Sequence, residues 1–286
     1  MAEKILVTGA TGKVGRALVR RLADLGVEVK AGTRQPAEAK GLFGGAVEVV
    51  ELDYNVTSTW DEAVQWAERV FLVPPPFDPR GNERLIPFLD WAVQSGSGHV
   101  VLLSAMGIEA REQLALRRIE RRLQETGVEW TLLRPNIYMQ NFARGFVARS
   151  IREEGVFRLP VDKAPVSFVD SRDVATVAAE VLQGAAHFGS AYTLTGPEPL
   201  THGEVAGIIS EATGRMVRYE PIGESTMHDM LAEAGWSEGR ADTFASLLAA
   251  IREGRRARVS PEMENLLGRT PTSFRTFAEE HGDAWR

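Results

Sequence analysis

Two periods alternate along the first 135 residues. Short apolar runs stand at 4–8, 27–31, 47–52, 69–73, 99–103 and 128–133, and each reads as a strand. Between them, apolar positions recur at helical spacing over 13–25 (Val14, Leu18, Leu22, Leu25), 60–67, 82–94 and the Arg-rich stretch 111–125. Gly26 closes the first helix, and a Gly/Ser cluster over 95–98 closes the third. Strands alternating with helices of this length imply right-handed crossovers and a parallel sheet. Several strands are apolar without clean alternation, as when helices cover both faces. The predicted fold is α/β, a Rossmann-type doubly wound parallel sheet with a small, mostly helical C-terminal lobe.

Beyond Arg134-Pro135 the alternation loosens. Helices are expected over 141–152, 170–182 and 201–213, with a last strand at 191–194 and mostly helix from 223 onward. Thr201 followed by Glu204 is a capping-box signature. The expected organisation is an α/β domain over 1–195, with 136–168 contributing partly to a second lobe, and a C-terminal lobe over 196–286. The basic stretch Arg252, Arg255, Arg256 and Arg258 reads as a solvated helix end.

Composition narrows the function classes. With 286 residues the chain can bury a sizeable core without staples. Cysteine is absent, which excludes disulfides, thiol nucleophiles, Cys-ligated zinc and iron–sulfur clusters and suits a cytoplasmic, reducing setting. The net charge of -6 argues against nucleic acid as a partner, which calls for a basic footprint. No apolar run approaches the ~18 residues of a membrane span, and no leader-like segment precedes the first strand. The five histidines show no metal-ligand spacing, so no metal is expected. A small-molecule substrate and a monomeric or homodimeric state are the remaining expectation.

The sharpest motif is Gly9-Ala10-Thr11-Gly12-Lys13-Val14-Gly15, between the first strand and the first helix. In that context the first glycine permits a tight turn, the second lets backbone approach a pyrophosphate, and the third lets helix and strand pack closely. The diphosphate then meets the free N–H groups at the helix start. The second strand runs into Gly32-Thr33-Arg34. An acidic residue there would serve the 2′-OH of NAD, whereas Arg34 suits a 2′-phosphate, with Lys13 as a second cation. The expected cofactor is therefore NADP(H). Asp53, after the third strand, is placed either to touch the adenine edge or simply to form a turn. Val73, Pro74 and Pro75 form a stiff wall for the ribose side. Ser104 ends the fifth strand, and Pro135, Asn136 and Ile137 end the sixth, near the nicotinamide. All lie at strand C-terminal ends, where open α/β sheets bind ligands.

The glycine spacing, Leu103-Ser104 and the run Glu129-Trp130-Thr131-Leu132-Leu133-Arg134-Pro135-Asn136-Ile137-Tyr138-Met139-Gln140-Asn141-Phe142 resemble the short-chain dehydrogenase/reductase superfamily, in its atypical, NmrA-like branch. Gly196-Pro197-Glu198-Pro199-Leu200-Thr201 and Gly268-Arg269-Thr270-Pro271-Thr272-Ser273-Phe274 extend the resemblance over nearly the whole chain. Within the branch it looks closest to ergot-alkaloid-type reductases, with triphenylmethane and quinone reductases as cousins. The resemblance implies an NAD(P)H-dependent oxidoreductase.

One departure constrains the chemistry. Most superfamily members carry Tyr-x-x-x-Lys on the helix after the fifth strand, the tyrosine protonating a carbonyl. Here the four tyrosines, Tyr54, Tyr138, Tyr192 and Tyr219, are followed four positions later by Ser58, Phe142, Gly196 and Gly223. The expected reaction is hydride transfer to an acceptor needing no strong acid, namely an iminium, quinone, dye or activated alkene. Ser104 or Tyr138 is the proton donor in reserve, each with a plain structural role as the alternative. Met106, Tyr138, Phe142 and Phe168 are the expected substrate-side residues. A non-catalytic NADP(H)-binding regulator and an isomerase or cyclase with a repurposed cofactor site are the other readings.

Overall fold

The protein is described by a computed structural model covering residues 3–286. Its strands are β1 (Lys4–Val7), β2 (Glu28–Thr33), β3 (Glu48–Glu51), β4 (Arg69–Leu72), β5 (His99–Leu103), β6 (Glu129–Pro135), β7 (Val156–Leu159), β8 (Ser190–Leu194) and β9 (Arg218–Pro221). Seven form one sheet in the order β3-β2-β1-β4-β5-β6-β8. Pairing from β3 through β6 is parallel, with Val7 opposite both Ala31 and Phe71, and Leu103 opposite Leu133. The order reverses between β1 and β4, the switch point at which such sheets take ligands.

The helices of the first half are α1 (Lys13–Asp24), α2 (Pro36–Phe43), α3 (Trp60–Val64), α4 (Gly81–Gln94) and α5 (Ala115–Glu125). The chain then adds α6 (Gln140–Ala143), α7 (Gly145–Glu154), α8 (Ser171–Gln183), α9 (His202–Thr213), α10 (Glu224–Glu233) and α11 (Glu238–Arg252). Two compact units result: one comprises the chain through Pro76, Arg80–Arg134 and Ser171–Thr193; the other comprises Phe77–Pro79, Pro135–Asp170 and Leu194–Arg286. In the first, Leu6, Val50, Leu72, Phe88, Leu102 and Leu132 share one buried cluster. On α1, the predicted stripe of Val14, Leu18 and Leu22 is buried, and α1 packs on α8.

The core of the second unit is aromatic. Phe142 meets Phe157, Phe168 and Phe274 edge-to-face at centroid distances of 5.5, 5.2 and 5.3 Å, a geometry favoured by ring quadrupoles. The Thr201 cap forms as expected: its hydroxyl accepts from the Glu204 amide at 3.2 Å while the Glu204 carboxylate accepts from the Thr201 amide at 2.7 Å.

Two local readings are corrected, and two elements appear where none was expected. The helix expected over 141–152 is broken, because Arg144 is extended and Gly145 has φ +77°. The helix expected from 111 starts at Ala115. A helix, α2, occupies a stretch between β2 and β3 for which no element was expected, with Pro36 in its first turn. A second, two-stranded parallel sheet of β7 and β9 was not foreseen, its residues Val156 and Arg218 being far apart in the chain.

Candidate functional site

β1 delivers the chain to Thr8, a buried side chain that ties the neighbouring strand in place. Its hydroxyl donates to the Phe71 carbonyl at 3.0 Å and accepts from the Val73 amide at 2.8 Å. Gly9 then turns the backbone at φ +58°, which a side chain resists. A Cβ there would stand 3.0 Å from the Cβ of Val73. The loop is pinned to the end of β2 by the Ala10 amide, which donates to the Gly32 carbonyl at 3.2 Å. At Gly12 a Cβ would approach the Gly9 oxygen to 3.1 Å, and at Gly15 to 2.3 Å, so helix and loop meet as bare backbone. Gly12 is the N-cap of α1, with no side-chain cap and no acidic residue in the first turn. The positive end of the helix is therefore left for an external anion.

This cradle, which any Cβ would fill, fits a dinucleotide diphosphate. Thr11, Lys13 and Val14 complete it, with Lys13 exposed and Val14 buried. Arg34 stands one residue past β2, exposed and without an ion-pair partner among the described residues. That arrangement suits a 2′-phosphate. Asp53 forms the turn that is one of its two expected roles. Its Oδ1 accepts from the Asn55 amide at 2.8 Å and the Asn55 side chain at 2.9 Å, an Asx turn. The Val73 carbonyl accepts from the Tyr54 hydroxyl at 3.0 Å, and burial raises that phenol's pKa. Pro74 and Pro75 follow, both half-buried.

At the end of β5 the structure shows a cluster that sequence reading missed. Glu120 of α5 is fully buried. Its Oε1 accepts from the Ser104 hydroxyl at 2.6 Å and Arg134 Nε at 2.9 Å. Its Oε2 accepts from Arg117 at 2.7 Å and the second Arg134 nitrogen at 2.9 Å. Burial pushes this carboxyl up, but the hydrogen bonds from Arg134, Ser104 and Arg117 outweigh it and hold the group below the ordinary carboxylate range. Arg117 is buried and also reaches Glu112 at 3.1 Å. The Ser104 proton is thus committed to Glu120, and Ser104 is not the free proton donor expected of it. The available signal was a carboxylate on the apolar face of α5, in phase with Leu116 and Leu123.

In the second unit, Asn136 follows β6 and is buried. Its Nδ2 donates to the Ser167 hydroxyl at 2.8 Å and to the Arg256 carbonyl at 2.9 Å, while its Oδ1 is buried without a partner. The Ser167 hydroxyl donates to the Arg258 carbonyl at 2.7 Å. Arg252, which ends α11, and Arg255 and Arg258 are exposed, as a solvated helix end requires, while the carbonyls of Arg256 and Arg258 fasten the chain beyond the helix as a strap. Ile137 is half-buried, and its carbonyl accepts from the Val169 amide at 2.9 Å. Tyr138 is half-buried, and its hydroxyl has no partner among the described residues. Burial raises its pKa, so it stays protonated. Phe142 and Phe168, expected to line the substrate pocket, are instead core rings, 2% and 1% exposed. Met106 is 7% exposed. No cluster of three potential metal ligands occurs among the described residues, and none of their helices is long and apolar enough to cross a membrane.

The model of the NmrA-like family matches residues 1–244. The chain belongs to that family. Among curated relatives, this NmrA-like protein is 37% identical to a (4-alkanoyl-5-oxo-2,5-dihydrofuran-3-yl)methyl phosphate reductase of Streptomyces griseus, covering 98% of this chain and 99% of the relative. It is 30% identical to the agroclavine dehydrogenase of Claviceps fusiformis, covering 98% of each. Among solved structures, the Citrobacter triphenylmethane reductase complexed with NADP(H) superposes with a TM-score of 0.79 at 25% identity, over 98% of this chain and 99% of that one.

Proposed function

We propose that this NmrA-like oxidoreductase passes a hydride from NADPH to a small, largely apolar acceptor without a Tyr–Lys proton relay. The acceptor class is an iminium, quinone, dye or activated alkene. Two features support the reading: a backbone cradle at Gly9, Gly12 and Gly15 with Arg34 exposed past β2, and a sequence without Tyr-x-x-x-Lys. When bound, the reduced nicotinamide supplies the hydride. Gly9 through Gly15 and α1 hold the diphosphate, Arg34 selects the 2′-phosphate, and Pro135, Asn136 and Ile137 fix the backbone beside the nicotinamide. Tyr138 donates a hydrogen bond to the acceptor, since its proton is uncommitted and its high pKa keeps it in place.

Such acceptors need little acid. An iminium already carries positive charge, and quinones, dyes and conjugated alkenes spread charge after attack, so positioning supplies most of the help. The names of the relatives support this range, since one is a reductase whose substrate name contains a ring alkene flanked by carbonyl groups and another a clavine dehydrogenase. The test is to mix the protein and NADPH with a panel of quinones, cyclic imines, cationic dyes and unsaturated lactones and to follow loss of reduced-nicotinamide absorbance. Turnover with at least one class is expected. Tight NADPH binding with no acceptor consumed across the panel overturns the reductase reading in favour of a regulator.

A further inference from the structure

Ser104 holds an unusual position: a hydroxyl at the ligand edge of the sheet whose proton is not available to a ligand. A serine hydroxyl has one proton and two acceptor lone pairs. Here the acceptor of that proton is a carboxylate kept ionised by two arginines, at a separation of 2.6 Å, the short range of charge-assisted bonds. Glu120 cannot donate in return, so the direction of this bond is fixed. Glu120 has no solvent exposure, whereas Ser104 keeps 6%. Ser104 is thus the outer end of a buried charge cluster. Arg117 and Arg134 meet one fully buried carboxylate between them, and electron density on the Ser104 oxygen is raised by the bond it donates.

We infer that Glu120 makes Ser104 an obligate acceptor, and that the group it receives is the carboxamide N–H of the nicotinamide. The inference rests on the reading of the site as an NADP(H) site. The carboxamide is the donor-bearing group at the reactive end of that cofactor, and it is the handle by which the ring's facing can be set. Ser104 follows β5, whose neighbour β6 runs into Pro135, Asn136 and Ile137, the residues assigned to the nicotinamide side. Its backbone is fixed as firmly as its side chain, the amide donating to the Leu133 carbonyl at 2.7 Å. Glu120 is then a positioning residue: it touches no ligand and decides which kind of ligand group Ser104 accepts.

The probe is the 3-acetylpyridine analogue of NADPH, in which a methyl ketone replaces the carboxamide and no N–H remains. Dissociation constants for it and for NADPH are measured by calorimetric titration on the wild-type protein, Ser104→Ala, Ser104→Thr and Glu120→Gln. The wild-type protein is expected to prefer NADPH by about 5- to 20-fold, the range of one hydrogen bond plus an unpaired buried acceptor. Ser104→Ala brings the ratio near one by weakening NADPH alone, and Ser104→Thr restores it. Glu120→Gln, whose amide can return a donor to Ser104, lowers the ratio too, a change that a merely structural glutamate would not cause. Equal affinities on the wild-type protein, or a ratio unmoved by Ser104→Ala, overturn the inference while leaving the cofactor reading intact. Failure of the wild-type protein to bind NADPH at all overturns the cofactor reading itself. If Ser104→Ala does not fold, equal wild-type affinities remain sufficient to reject the assignment.

Discussion

Replacing Gly15 by alanine probes the cofactor cradle at its narrowest point. In a free helix the change stabilises by up to about 1 kcal/mol, because glycine gives up more backbone freedom on folding. Here the added Cβ would stand 2.3 Å from the Gly9 carbonyl oxygen and 3.0 Å from the Ala10 Cα. To reach ordinary contact, α1 and the loop must part by roughly 1 Å, in a region packed to interior density. Overpacking of this kind costs about 1–3 kcal/mol. A displacement of about 1 Å in a positioning element is enough to cost on the order of 100-fold in a reaction. We expect Gly15→Ala to melt below the wild-type protein and to bind NADPH at least ~10-fold more weakly. The matched control is Gly26→Ala, at φ +73° with nothing within 4 Å of the added atom. It costs about 1–2 kcal/mol for its left-handed backbone and leaves NADPH affinity unchanged. Calorimetric melting and a binding titration on both variants separate the two effects. If Gly15→Ala melts at or above the wild-type temperature and binds NADPH as tightly, the cradle is not built as described.

Further expectations concern single side chains. Arg34→Ala should weaken NADPH about 10- to 100-fold, the worth of a charge-assisted hydrogen bond, and NADH little; equal loss for both cofactors would count against the 2′-phosphate assignment. Tyr138→Phe should lower kcat for a quinone or an alkene about 10-fold or more, within the range of proton-transfer help, while NADPH affinity stays put; an unchanged kcat removes Tyr138 from the chemistry. Thr8→Val should cost about 1–3 kcal/mol, since it strands the half-buried Val73 amide and removes the bond to the Phe71 carbonyl, read as a lowered denaturant midpoint. His202, enclosed by Phe142, Phe157, Phe168 and Tyr219, has its pKa lowered from 6.5 to about 4 by burial. The unfolded chain therefore binds the proton first, so the stability is fully present above pH 6.5 and is lost as pH falls from there toward 4. Between pH 7 and 5 this amounts to roughly 2 kcal/mol. His202→Phe should flatten the melting curve over that range relative to wild type, and an unchanged slope would exclude His202 as its source.

The glycine cradle was legible because its parts are contiguous in sequence and its rules are steric. Gly9, Gly12 and Gly15 name their own constraints, and Arg34 and Ser104 follow from strand ends. What could not be read depends on which face a residue turns. Glu120 looks like one more charge in an Arg-rich helix until β5 and β6 bring Ser104 and Arg134 against it. Phe142 and Phe168 are legible as large apolar residues, but only the fold shows that they face each other inside the second unit. The β7–β9 pair is four residues in each strand, too short for a period-2 signal. Its partners meet only after α9 has intervened. The strap at Arg256 and Arg258 is held by its carbonyl groups, which every residue possesses, so its side chains gave no hint of it.

The indole of Trp285 closes the aromatic core of the second unit, its Nε1 donating to the carbonyl of Phe142, 143 positions earlier. Synthesis proceeds at about 5–20 residues per second, so Phe142 precedes its partner by roughly 7–30 s. During that interval Phe142, Phe157 and Phe168 have left the ribosome without the residues that cover them. The chain therefore carries a timed exposure of aromatic surface during its own synthesis, set by the sequence distance between a ring cluster and the residue that closes it.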